Sequence, residues 1–140
     1  MAYIDTSVLV AYYCPEPLSR AAQEMIRKAS SPAVSLLTEV EFCSALSLKT
    51  RTGDMDTDTA ASILSVFRSH LEGGQYRIVP IGAGEYTLAC EWISCFSAPL
   101  RTVDALHLAA AFSQGMTLLT ADRGLARSAR QFKVKHKLIS

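Results

Sequence analysis

Short unbroken apolar runs alternate along the chain with longer stretches in which apolar residues recur every three or four positions. Four runs, Ala2-Tyr3-Ile4, Val34-Ser35-Leu36-Leu37, Ile78-Val79-Pro80-Ile81 and Met116-Thr117-Leu118-Leu119, are too short for helices and predict strands. Phe132 to His136 offers a fifth strand at an edge. Between the first two runs, Leu18, Ala21, Ala22, Met25, Ile26 and Ala29 form a helical stripe, with Pro17 placed for a helix start. Further helices are predicted from about Thr38 to Lys49 and from about Thr57 to Leu71, the second with Ala60, Ile63, Leu64, Phe67 and Leu71 inward. Gly53 and Gly73-Gly74 punctuate them. Another helix runs from about Ala83 to Phe96, Pro99 parts it from Leu100 to Gln114, and a last one follows Asp122. Strands separated by helices predict an α/β fold: a parallel sheet of four or five strands with helices on both faces, in one domain over residues 1–140.

The segment Leu100 to Gln114 is apolar on nearly every side, which predicts a buried central helix. Its first turn nevertheless carries Asp104, and a buried carboxylate needs a hydrogen-bond donor, a helix N-terminus or a cation to offset its desolvation. In such a sheet, ligands gather beyond the carboxyl ends of the strands. Asp5 ends the first predicted strand, Glu41 lies in the first turn of the helix after the second, Asp104 opens the central helix, and Asp122 follows the fourth strand. A parallel sheet brings Asp5, Glu41 and Asp122 to one edge, where Asp104 can join them. No lysine or arginine occupies a matching position, so the repulsion calls for a divalent cation, and oxygen-only ligation favours Mg²⁺ or Mn²⁺ over zinc. Taken singly, each acid has a capping explanation: Asp5 and Asp122 as N-caps, Glu41 in a Thr38 capping box, and Asp104 at the positive end of its helix. Capping does not explain why acids recur at each converging junction.

Composition narrows the class. With 49% hydrophobic and 19% charged residues over 140, the chain can bury a core, and no apolar run approaches the ~20 residues of a membrane span. The start lacks a basic, signal-like region, so a cytoplasmic location is expected. Cys14, Cys43, Cys90 and Cys95 lack zinc spacing and sit among apolar neighbours, which predicts buried thiols. The net charge of +1 hides a tail free of acids after Asp122, in which Arg123, Arg127, Arg130, Lys133, Lys135 and Lys137 form a basic surface compatible with a polyanion or with plain solvation.

Four blocks carry a family resemblance: Tyr3-Ile4-Asp5-Thr6-Ser7; Thr38-Glu39-Val40-Glu41-Phe42 followed by Ser44-Ala45-Leu46; Leu100 to Ala109 around Asp104; and Leu119-Thr120-Ala121-Asp122. Their order and spacing resemble the PIN-domain nucleases, and within them the VapC-like toxins of prokaryotic toxin–antitoxin pairs. The resemblance implies a three-layer, Rossmann-like PIN domain and an Mg²⁺- or Mn²⁺-dependent endoribonuclease with Asp5, Glu41, Asp104 and Asp122 as its acidic pocket. A cation held by carboxylates can acidify a water, orient it in line with a phosphodiester and neutralise the leaving oxygen. Asp5 and Asp104 are expected as direct ligands, with Glu41 and Asp122 holding coordinated water or a second ion. The resemblance also implies an RNA substrate, a VapB-like antitoxin near the pocket and a homodimer. The apolar helix faces around residues 18 to 29 and 57 to 71 leave room for an interface.

Ser7 and Thr120 offer hydroxyls for water or phosphate, or else caps. Lys49, Arg51, Arg101, Arg123 and Arg127 are candidates for RNA-backbone contacts. His107, one turn after Asp104, reads as a satisfied buried histidine, and Trp92 with Tyr86 and Ile93 as packing or a subunit contact. Asp54, Asp56 and Asp58 are not a calcium loop, because Thr59 and Ser65 stand where Gly and Glu are required. A phosphatase D-x-D pattern fails at Ser7. A PIN module that binds RNA or protein without turnover is the alternative.

Overall fold

The computed structural model describes all 140 residues. Five strands, β1 (Ala2–Ile4), β2 (Pro32–Val34), β3 (Arg77–Ile78), β4 (Thr117–Thr120) and β5 (His136–Leu138), pair in parallel in the order β3-β2-β1-β4-β5. Each inner strand sends alternate residues to opposite faces. Ala2, Ile4, Val34 and Leu119 join one apolar cluster, and Tyr3, Ala33 and Leu118 another. Helices α1 (Thr6–Tyr13), α2 (Ser19–Lys28), α3 (Leu36–Arg51) and α4 (Thr57–Glu72) cover the first face. Helices α5 (Ala83–Ile93), α6 (Thr102–Ser113) and α7 (Arg123–Gln131) cover the second. The predicted α/β architecture is the observed one.

Several boundaries differ from the sequence pattern. The run Val34 to Leu37 is split: the strand stops at Val34 and Ser35 caps α3, so Leu36 and Leu37 begin a helix. Ser35 Oγ accepts from Thr38 N at 3.4 Å while Thr38 Oγ1 accepts from Ser35 N at 3.1 Å. This reciprocal cap sits one turn before the box suggested for Thr38 and Glu41. Glu41 is therefore in the second turn of α3, released from capping. Helix α1 was hidden because Val8-Leu9-Val10 reads as more strand; instead the Asp5 carbonyl accepts from Val8 N and Leu9 N and turns the chain. Strand β3 has only two residues because Pro80 cannot extend the ladder beyond the Val79 N–Val34 O bond. At the other edge Phe132 to His136 is not a strand. Lys133 takes a left-handed φ of 58°, and pairing begins only at His136.

The two helical stripes proposed as interface faces pack largely within the molecule. Leu18, Ala21, Met25 and Ile26 of the first, and Ile63, Leu64 and Leu71 of the second, pack on the cluster containing Phe42 and Phe67. Of the cysteines only Cys14 is buried, and burial pushes its thiol pKa up; Cys90 and Cys95 are exposed, contrary to expectation, on and just after α5. Trp92 stacks on Phe132 with ring centres 5.2 Å apart, which assigns it to packing.

After α6, Gly115 reverses the chain into β4 at φ 64°, with Met116 N bonded to Ala111 O at 2.9 Å. A side chain at this left-handed position is strained by about 1 kcal/mol. Gly115→Ala is expected to lose about that much stability in urea unfolding with the acidic pocket intact.

Candidate active site

The carboxyl edge of the sheet is where the chain leaves β1, β2 and β4 and where α6, running back against the strands, begins. Asp5 directly follows β1, Asp122 caps α7 just after β4, Asp104 lies in the first turn of α6, and Glu41 projects from the second turn of α3. The fold brings all four to one edge, near enough for Asp5, Asp122 and Glu41 to act on the charge of Asp104.

Each carboxylate except Asp104 has one oxygen tied down by neutral donors. Asp5, 5% exposed, accepts at Oδ2 from Ser7 Oγ (2.6 Å) and from Thr120 Oγ1 (2.9 Å). Ser7 Oγ and Thr120 Oγ1 in turn accept from the backbone N–H groups of Ala121 and Asp122, at 2.9 and 3.0 Å, which fixes both hydroxyls. Glu41 Oε1 accepts from Thr6 Oγ1 at 2.7 Å and is hydrogen-bonded to His107 Nε2. Asp122 Oδ1 accepts from Gly124 N (2.7 Å) and Leu125 N (3.1 Å) as the N-cap of α7. A Cβ on Gly124 would lie 3.2 Å from that oxygen, so glycine allows the close cap. Asp104 Oδ2 has only the guanidinium of Arg101, 3.6 Å away and on a side chain 81% exposed. The second oxygens of Asp5, Glu41 and Asp122 accept no hydrogen bond from the chain.

The electrostatics follow from this crowding. Burial pushes the Asp104 carboxyl above its ordinary value of 3.8, Arg101 opposes the rise, and the charges of Asp5, Asp122 and Glu41 add to it. Burial would also raise Glu41, but the hydrogen bonds from His107 and Thr6, with the charge of Arg101, hold it below its usual range. Neutral donors and one rim arginine do not balance four carboxylates. An oxygen-rich donor set with free lone pairs fits a hard divalent cation. Carboxylate oxygens of Asp5 and Glu41 and a nitrogen of His107 all lie within 4.8 Å of one another. Both His107 nitrogens are engaged, Nδ1 by the Tyr3 hydroxyl at 2.6 Å and Nε2 by Glu41, so its place is behind Glu41 and not among the ligands.

The family model for the PIN domain matches residues 2–131. The chain is a PIN-domain protein. Among curated proteins no relative matches this sequence. Solved structures share the fold. FitAcB from Neisseria gonorrhoeae has a TM-score of 0.72 at 18% identity, covering 97% of this chain and 96% of its own. VapC20 from Mycobacterium tuberculosis, a sarcin-ricin loop cleaving toxin, has 0.71 at 17%, covering 91% and 95%. VapBC2 from Rickettsia felis, bound to a DNA fragment from its promoter, has 0.69 at 17%, covering all of both chains. At these identities the likeness is one of fold.

On this PIN domain, Ser7 and Thr120 hold Asp5, and Arg101 faces Asp104. Arg101 and Arg127 line a cavity of about 260 Å³ that shares Asp104 and Asp122 with the site. Arg51 lines a larger cleft of about 750 Å³ that shares Thr6, Ser7 and Glu41 with it. Lys49 is paired with Glu16 at 3.1 Å. Sequence reasoning missed Tyr3 and Thr6. The available signal was a tyrosine inside a central strand, where a buried hydroxyl requires a partner.

Because the folded state binds the Asp104 proton more tightly than the unfolded chain, cation-free stability falls as pH rises from the ordinary carboxyl value through the raised one. Asp104→Asn removes that loss. In chelator-treated protein it is expected to melt at a higher temperature than wild type at pH 7 and to lose the advantage below pH 4. Saturating Mn²⁺ should narrow or reverse the difference. A variant that melts lower at both pH values would contradict the repulsion.

Proposed function

We propose that this PIN domain is a divalent-cation-dependent endoribonuclease, the toxin of a prokaryotic type II toxin–antitoxin pair. The observation that carries the reading is the treatment of the acids: hydroxyls, amides and an imidazole fix one oxygen of Asp5, Glu41 and Asp122 and leave the other without a donor from the chain, on the edge where their charges act on Asp104. Family membership supports nuclease chemistry, and the fold likeness to a toxin named for RNA cleavage supports RNA as the substrate.

Asp5 and Asp104 would hold the cation directly, with Glu41 and Asp122 completing the pocket. Mg²⁺ or Mn²⁺ bound there supplies the charge that acidifies a water and stabilises the leaving oxygen. The chain's own part is positional. Ser7 and Thr120 prevent Asp5 from rotating, and Glu41 and Asp122 offer their remaining oxygens to the cation and to water beside the scissile phosphate. Arg101 meets the charge that builds on the phosphate oxygens. The acids sit between the two cavities, so a single strand can cross the pocket from the cleft holding Arg51 to the cavity holding Arg101 and Arg127, with Arg123 outside. Guanidinium groups on both sides suit consecutive phosphates.

The larger cleft, walled by Val10, Pro17, Leu18, Ala45 and Leu48 and ending at Glu41, suits an apolar segment of an antitoxin that blocks the pocket. Relatives of the same fold occur as toxin–antitoxin complexes, which supports such a partner. A homodimer would use the remaining apolar face: Leu36 (69% exposed), Val40 (65%), Ile78 and Tyr86 lie around one shallow cavity.

Asp5→Asn and Asp104→Asn are expected to reduce RNA cleavage by at least about 10²-fold, the scale of losing a group that acts on the reacting centre, while circular dichroism stays unchanged. Cleavage mapped by sequencing RNA 5′ ends after induction should disappear with either variant. Retained cleavage in Asp104→Asn would refute the mechanism, and RNA binding without any cleavage by wild type would favour a binding module. Arg127→Ala should weaken RNA binding and lower the slope of log affinity against log salt by about one. An unchanged slope would remove Arg127 from the path. Val40→Asp should shift the protein to monomer in light scattering if the exposed face is the dimer contact.

A further inference from the structure

We infer that His107 is a positioning residue for Glu41: a buried imidazole whose proton is fixed by Tyr3 grips one carboxylate oxygen, so that Glu41 presents the other to the cation. This rests on the cation reading above and goes beyond it in assigning a role to a residue outside the acidic set. His107 is 0% exposed, on α6, one turn past Asp104, and Tyr3 is 0% exposed, in the central strand. Tyr3 Oη lies 2.6 Å from His107 Nδ1, 2.8 Å from Ser35 Oγ and 3.3 Å from Thr38 Oγ1.

The donors and acceptors in this row leave one arrangement for a neutral ring. An ionised carboxylate only accepts, so Nε2 carries the hydrogen that it gives to Glu41. Nδ1 is then an acceptor, and the single hydroxyl proton of Tyr3 goes to it. The tyrosine oxygen accepts in turn from the Ser35 or Thr38 hydroxyl. The reciprocal cap that begins α3 is thus wired through Tyr3 and His107 to a carboxylate on the same helix. With Thr6 on the same oxygen, Glu41 Oε1 has two donors, and its side chain cannot turn without breaking both. No buried side-chain nitrogen or oxygen lacks a partner, so the chain is closed at every link. A histidine present only for packing requires neither a donor behind it nor a carboxylate in front.

The test has two parts, on folded protein with unchanged melting behaviour. In cation-free wild type, long-range ¹H–¹⁵N correlation of the His107 ring is expected to show hydrogen on Nε2 and a bare Nδ1; a ring with hydrogen on Nδ1 alone would overturn the proposal. In Mn²⁺ titrations followed by electron paramagnetic resonance, His107→Leu should bind about 10- to 100-fold more weakly, the usual cost of losing a group that orients a ligand. Tyr3→Phe should fall between His107→Leu and wild type. His107→Gln, whose side-chain amide can still donate to Glu41, should recover most of the affinity. Wild-type affinity in His107→Leu would overturn the proposal, as would a His107→Gln no better than His107→Leu, the result expected if the imidazole were itself a ligand. Wild type that shows the Nε2 hydrogen yet takes up no Mn²⁺ would refute the cation reading and leave the His107–Glu41 link standing.

Discussion

Like charges crowded at one edge of a sheet are the constraint around which this molecule is arranged. Four carboxylates within reach of one another raise the energy of the folded chain, and the protein tolerates this by distributing uncharged donors over them. Hydroxyls from Thr6, Ser7 and Thr120, two backbone amides at the start of α7 and one imidazole each satisfy part of an acid without cancelling its charge. Had lysines done the same work, the pocket would be stable and inert. Neutral donors lower the desolvation cost while keeping the field that attracts a cation.

Topology delivers those donors. With β1 in the middle of the sheet, its end is flanked by the ends of β2 and β4, so Asp5 is reached from both sides by the residues that follow its neighbours. Thr120 completes β4 and bonds Asp5; Ser35, directly after β2, bonds Tyr3. Helix α6 supplies the only acid with a charged partner, Asp104 with Arg101, and carries His107 into the layer behind Glu41.

Much of this could be read from residues. Alternating strand and helix periods gave the α/β class, and Asp5, Glu41 and Asp122 stood out because they followed three of the predicted strands, with Asp104 opening the buried central helix. Local competition defeated the rest. Ser35 and Thr38 prefer each other to the strand that Val34 to Leu37 suggested, a choice of hydrogen bonds that hydrophobicity does not encode. Val8-Leu9-Val10 is an unbroken apolar run, so α1 left no period to detect. The roles of Tyr3 and Thr6 depend on partners 104 and 35 positions away, and a single sequence carries no mark of such pairings. The apolar faces near residues 18 to 29 and 57 to 71 looked available because amphipathicity shows that a face is buried and not against what.

The hydrogen bond between Thr120 and Asp5 spans 115 positions, and that between Tyr3 and His107 spans 104. On a chain made from its N-terminus, Asp5 and Glu41 leave the ribosome long before the groups that orient them. A nascent chain halted before α6 has two of its acids and neither His107 nor Thr120, so the acidic pocket is incomplete. The proposed site therefore assembles only after α6 and β4 have been made, well after its first two acids.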